Sequence, residues 1–331
     1  MTRLSVVHRQ PSRWLRRLRL AVQATSLLWI VAVPLLSLYQ SLVLAHAEDL
    51  LIGGEKVFFT AMDALVRPIS DDPGESLDAV KGGAWSATLG KVKISDPLAL
   101  VSQLAASRTW YAPFAVTIVL PLFLTLVFGR IFCGWVCPGN IVYEWGNGIR
   151  TGLQKVGIKL PDYQLDHRLK YSVLVAGTLA GFYSGSQLFP LLYPPAVLSR
   201  AWYLRVYTGF WGAGFGLFVA TLILEIVVAE RFFCRSICPG GALYTMLSQV
   251  RVVRLVRQSR HCTDCGLCNP ACPMDLRPME IKTSAACTLC GNCLAQCQFG
   301  ALALEFIGRP KVSQEPAQPA PAATAEERGA A

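Results

Sequence analysis

The chain has 331 residues, of which 53% are hydrophobic and 16% charged, and its mean hydropathy is +0.41. A soluble domain carries about 25% charged residues, so this composition excludes an ordinary soluble fold, a disordered chain and a fibrous one, and predicts membrane-embedded helices. The 31 basic residues against 21 acidic ones do not point to nucleic acid, because basic loops are also how a membrane chain is oriented.

A bilayer core needs about 20 apolar residues in helix. Six arginines precede the first such run, residues 20–47, and further runs cover 111–128, 171–193 and 210–228, the last holding Glu225. The first run exceeds the apolar region of a signal peptide, so the triplet Ala45-His46-Ala47 is not taken as a cleavage site. Loops 129–170 and 229–260 hold six basic residues each, whereas Arg200 and Arg205 alone separate spans three and four. Both termini are therefore predicted cytoplasmic, after a basic segment over 1–19. Trp110, Tyr111, Tyr171, Tyr193, Trp202 and Tyr203 suit the headgroup layer. Segment 48–110 is predicted periplasmic, as short helical pieces parted by turns at Gly53-Gly54, Pro68, Asp72-Pro73-Gly74 and Gly82-Gly83; residues 48–94 suggest no role. The Ala- and Pro-rich tail, 309–331, has too little apolar surface to fold.

Two duplications organise the rest. Residues 130–143 recur at 231–244, sharing Arg130/Arg231, Phe132/Phe233, Cys133/Cys234, Cys137/Cys238, Pro138/Pro239, Gly139/Gly240 and Tyr143/Tyr244. The membrane part is then two parallel two-helix repeats, the second motif lying in segment 229–250. A shorter offset relates Cys262, Cys265, Cys268 and Cys272 to Cys287, Cys290, Cys293 and Cys297 within residues 251–308.

Three thiolates at Cys-x-x-Cys-x-x-Cys spacing wrap three corners of a cubane, while a fourth, three residues on, begins a helix and ligates the other cluster of a pair. One [4Fe–4S] cluster is assigned to Cys262, Cys265, Cys268 and Cys297, and a second to Cys287, Cys290, Cys293 and Cys272, in a small α+β ferredoxin-like domain. Zinc also takes four thiolates, but two 3+1 sets favour iron and sulfide. Pro273 follows Cys272, whereas Gln298 follows Cys297. Cys133, Cys137, Cys234 and Cys238 form two Cys-x-x-x-Cys-Pro motifs, each pair on one side of a helical turn that Pro138 or Pro239 then disturbs. They are candidates for a shared metal, a redox dithiol or plain packing. None of His8, His46, His167 and His261 lies mid-span and no Cys-x-x-Cys-His occurs, so no haem is expected.

Together the four spans, the motifs Phe132-Cys133-Gly134-Trp135-Val136-Cys137-Pro138 and Cys234 to Tyr244, and the eight-cysteine segment resemble the NapH/MauN family of ferredoxin-type membrane proteins. The resemblance runs from about residue 95 to about 306, and segment 48–94 departs from it. It implies a quinol dehydrogenase membrane component of the bacterial inner membrane with cytoplasmic [4Fe–4S] clusters. Its partners would be membrane quinone and a periplasmic ferredoxin-like subunit or c-type cytochrome of a respiratory enzyme. Quinol oxidation needs an apolar slot and a proton acceptor. Glu144, Glu225 and Glu230 are candidate acceptors, with Trp135, Tyr143, Trp145 and Tyr244 as slot walls; Glu225 leads, because an ionisable group in lipid is costly. No carrier across the bilayer is identifiable within the spans. The competing functions are a copper reductase serving respiratory-enzyme maturation and a redox-sensing membrane protein.

Overall fold

A computed structural model describes residues 12–70, 72–161, 163, 165–280 and 284–306. The tail over 309–331 and the first eleven residues lie outside them. The first helix, α1 (Ser12–Leu44), is 33 residues long, and its stretch Trp14–Leu44 is the one described helix long and apolar enough to cross a membrane. The predicted second span is split at Ile118 into α5 (Ala112–Thr117) and α6 (Val119–Phe128); the third is α8 (Leu169–Ser184) and the fourth α11 (Ala213–Val227). At 1.5 Å per residue, helices of 15 to 17 residues reach about 23–26 Å.

Segment 48–110 is not a set of helical pieces alone. After α2 (Gly54–Val66) and α3 (Pro73–Ser76) come three antiparallel strands, β1 (Val80–Gly82), β2 (Ser86–Leu89) and β3 (Val92–Ser95), and then α4 (Pro97–Ser107). Gly82-Gly83 and Gly90 turn strands here instead of parting helices. At Gly82 the φ of +103° and the close Ser86 carbonyl exclude a side chain.

The third predicted span also needs correction. Gly185 takes φ +66° and stops α8 after Ser184, and the chain then folds back through α9 (Phe189–Leu192). Phe189 fills the space over Gly177, and Tyr193 is 2% exposed against Gly240 rather than at a headgroup surface. From there α10 (Pro194–Thr208) runs out again to meet α11. The repeat is therefore larger than two helices. One copy holds α4, α5–α6, a π-turn (Phe132–Val136) and α7 (Pro138–Lys155); the other holds α10, α11, a π-turn (Phe233–Ile237) and α12 (Pro239–Leu247). The halves interlock, α4 packing on α8 and α10 on α1, with α7 on α11 and α12 on α8.

Both cysteine motifs depart from the expected helical turn. The π-turn carries the first cysteine, and the second is extended and becomes the N-cap of the next helix, with its proline at the first helical position. Proline has no N–H to lose there, so Pro138 and Pro239 start helices instead of disturbing them. Beyond α12, β4 (Val253–Arg257) pairs antiparallel with β5 (Leu302–Phe306), which closes the eight-cysteine segment into a small α+β unit. Cys272 follows a turn and Cys297 follows the short helix α13 (Asn292–Gln296), so neither fourth cysteine begins a helix.

Candidate redox centres

Four helices begin at one knot. Asp96, the N-cap of α4, accepts the Leu98 N–H at 2.8 Å and, on its other oxygen, the hydroxyls of Tyr193 (2.8 Å) and Tyr244 (3.0 Å). Tyr193 is the N-cap of α10, and Tyr244 lies on α12. Cys137 caps α7 and Cys238 caps α12, its sulfur accepting the Gly241 N–H at 3.4 Å. The positive ends of α4, α7, α10 and α12 thus converge, an arrangement that favours negative charge between them.

The four motif thiols sit in this knot. Cys137 and Cys238 are buried, Cys133 and Cys234 partly so, and all four are free. Each is electrostatically coupled to at least one thiol of the opposite repeat, or through Arg130 to both repeats. Burial pushes all four up, Cys238 to about 12, against the pull of the Arg130 guanidinium on Cys133 and Cys238. Lys170 is buried beside them and donates to the Thr245 hydroxyl at 3.2 Å. Burial thus disfavours the thiolate form, a cost that a bound metal replacing the protons would offset. The cysteine motifs single out neither Asp96 nor Lys170. The signal the chain does carry is Asp96-Pro97 before an apolar run, an N-cap with proline at the first helical position.

The eight remaining cysteines sort into two sets. Cys262, Cys265, Cys268 and Cys297 line one cavity; Cys272, Cys287, Cys290 and Cys293 line another. The electrostatic couplings divide the same way, Cys268 feeling Cys262, Cys265 and Cys297, and Cys293 feeling Cys272, Cys287 and Cys290. Among the described residues no three ligand side chains stand at the spacing of a single bound ion. A cubane is tested better by its surroundings. Arg251, 2% exposed, lines the second cavity near Cys287 and keeps two guanidinium nitrogens without a partner. Buried donors without acceptors suit an anionic thiolate-bound cluster at this point.

This second cavity adjoins the knot. Arg130 donates to the Ala286 carbonyl (3.3 Å), Trp135 to the Leu289 carbonyl (3.1 Å) and Ser248 to the Ala285 carbonyl (2.7 Å). Gly134 lies so close to Thr288 that an added Cβ would fall 2.6 Å from its carbonyl oxygen. Arg19, one of the six arginines that precede the first predicted span, is buried and donates to the Gly134 carbonyl, Asn292 and Glu144.

The expected proton acceptors are engaged elsewhere. Glu225 is buried and accepts the Phe233 N–H at 2.8 Å, holding the start of the second π-turn. Glu144 pairs with Arg19 and, at 3.6 Å, with Arg231, while Glu230 accepts from Asn147. Of the four expected slot walls, Tyr244 alone lines an apolar cleft between α1, α6 and the β1–β3 sheet; Trp135 and Tyr143 are hydrogen-bonded in the interior and Trp145 is exposed. Glu225→Gln, which keeps an acceptor for the Phe233 N–H, is expected to melt as wild type, and Glu225→Leu to lose about 1–3 kcal/mol of stability. Thermal melts of the two variants check both.

Residues 109–157 and 209–258 each match a family model described as a 4Fe–4S binding domain, and the two matches carry one Cys-x-x-x-Cys-Pro motif apiece. The chain is 32% identical over 216 residues to the methylamine utilization ferredoxin-type protein MauN of Methylorubrum extorquens, covering 63% of this chain and 71% of that one. It is 30% identical over 227 residues to the ferredoxin-type protein NapH of Haemophilus influenzae (64% and 75%). Protein NirI of Paracoccus denitrificans is 26% identical over 216 residues, 62% of this chain and 31% of that longer one. No solved structure matches. With its repeated 4Fe–4S domain and most of the length of MauN and NapH covered, the chain belongs to the NapH/MauN family of ferredoxin-type iron–sulfur electron-transfer proteins.

Proposed function

We propose that the protein is a multi-pass inner-membrane subunit that takes electrons from quinol and relays them to a partner respiratory enzyme. In this reading α1, α5–α6, α8 and α11 cross the bilayer, and the knot and the eight-cysteine unit lie toward the cytoplasm. The apolar side chains left exposed on these helices, such as Leu28, Phe123, Val175 and Ile223, support lipid contact. Cys262, Cys265, Cys268 and Cys297 would hold one [4Fe–4S] cluster, and Cys272, Cys287, Cys290 and Cys293 the other. Cys133, Cys137, Cys234 and Cys238 would hold a further thiolate-bound redox centre. Each [4Fe–4S] cluster, when bound, accepts and passes one electron.

The observation that carries this is contact between sites: one buried guanidinium, Arg130, spans from the thiols of both repeats to the carbonyl beside Cys287. Arg130 and Lys170 supply positive charge at the knot, Arg251 supplies it at the second cavity, and Ala286, Thr288 and Leu289 are buried in the loop between them. The same thiols would serve a copper reductase, but the apolar cleft bordering the knot favours quinol. Anaerobically purified protein is expected to contain at least the iron and sulfide of two [4Fe–4S] clusters and to be reduced by quinol in membranes. Zinc in place of iron, or clusters that quinol never reduces, would overturn the proposal.

A further inference from the structure

An apolar cleft of about 550 Å³ lies between α1, α6 and the three-stranded sheet, within the roughly 300–1,000 Å³ typical of small-molecule sites. Trp29, Trp85, Leu120, Leu124 and Phe132 form its walls. Its flanking helices expose Leu28, Val31, Val119 and Phe123, so the cleft borders the lipid-facing side. Asp96 and Tyr244 are the ionisable side chains among its described lining residues. Phe132, stacked on Tyr244 with centroids 5.5 Å apart, precedes Cys133 directly. A second cavity of about 560 Å³, between α4, α8 and α12, has no carboxylate among its described lining residues, which offer an acyl chain apolar contact and hydroxyls.

We propose that this cleft is the quinol site, with Asp96 as the proton acceptor and Tyr244 as the group that orients the ring. The assignment rests on the quinol reading above and deepens it. An ionised carboxylate has about four acceptor positions, and the Leu98 N–H and the two tyrosine hydroxyls take three. The fourth is left for a quinol hydroxyl. Oxidation breaks two O–H bonds and releases two protons and two electrons. The first proton passes to Asp96 and leaves along Ser95 and Ser86, which line the same cleft and are hydrogen-bonded at 3.2 Å, with Ser86 exposed. The second follows the same route. Phe132 lies between the cleft and Cys133, and iron–sulfur centres held by the chain's thiolates would take up the two electrons one at a time, leaving quinone in the cleft.

The test uses the full chain, reconstituted with its clusters in phosphatidylethanolamine/phosphatidylglycerol nanodiscs. An azido-ubiquinone is photolysed to map contacts, and ubiquinol-1 and menaquinol-1 are mixed in a stopped flow to follow cluster bleaching. Labels are expected on the β2–β3 and α6 walls. Asp96→Asn keeps an N-cap residue for α4 and is expected to be labelled as wild type and reduced fully by dithionite, yet reduced by quinol about 100-fold more slowly or worse. Leu124→Trp, which fills the cleft from α6 and leaves the Asp96 side chain unaltered, is expected to lose the label. Labelling on Tyr171 and Leu174 of the second cavity overturns the site. A wild-type rate in Asp96→Asn, with wild type itself reduced by quinol, overturns the role of Asp96 alone. Wild type that dithionite reduces and quinol does not overturns the underlying function.

Discussion

Cys133→Ser is expected to bring quinol-driven reduction down to the rate measured without protein-bound thiols at the knot, while both clusters of the eight-cysteine unit assemble and respond to dithionite. The separation follows from the two thiol sets. Cys133 lies among the helix starts, coupled to Arg130 and to Cys137 and Cys238 of the knot, and the eight other thiols line two cavities of their own. Serine preserves the volume and the π-turn but is a far poorer soft-metal ligand and has no thiol redox chemistry. The check is paired: stopped-flow rates with quinol, and electron paramagnetic resonance after dithionite. Unchanged quinol turnover would return both Cys-x-x-x-Cys-Pro motifs to packing.

A marked loss of stability is expected from Gly240→Ala. An added Cβ would fall 2.3 Å from a carbon of the Tyr193 ring. That ring has nowhere to go, being 2% exposed with its hydroxyl held by Asp96. Overpacking of this kind costs about 1–3 kcal/mol, and here the strain falls on the helix that Cys238 caps. Gly139→Ala is the matching change in the other repeat, its Cβ meeting Pro194 at 2.5 Å. Gly148→Ala supplies the control. It lies within α7 with open space around it, so alanine is expected to stabilise by about 0.5–1 kcal/mol through the unfolded chain's entropy. Thermal melts of the three variants in one detergent decide the matter, and a Gly240→Ala melt equal to wild type would sink the packing argument.

Much of the site was legible because metal-ligand spacing is a local property. A Cys-x-x-Cys-x-x-Cys loop carries its own geometry, and a constant offset between two copies can be counted along the chain. The charge signal was less secure. Arg130, Arg231, Arg235 and Arg251 count as orienting charges in the sequence, yet all four are buried at 4% or less. Arg231 donates to Asn140 and Arg235 pairs with Asp275, so they hold the two halves and the cluster unit together. Counting charges measures how many lie in a loop and is blind to what each one faces.

The chain's order of residues was enough to determine a long apolar first helix, a doubled Cys-x-x-x-Cys-Pro unit and a doubled run of four cysteines, since each depends on composition, periodicity or short spacing. Tertiary structure alone decided that α4 and α10 turn back to bring Asp96 and Tyr193 beside thiols far from them in the chain. It also decided that Glu225 is held by a backbone N–H, whereas Asp96 lines the cleft. The physical reason is that apolar periodicity records how much of a helix is out of water, whereas where a helix stops and folds back is set by single contacts, the left-handed turn at Gly185 and the bare backbone of Gly240 among them.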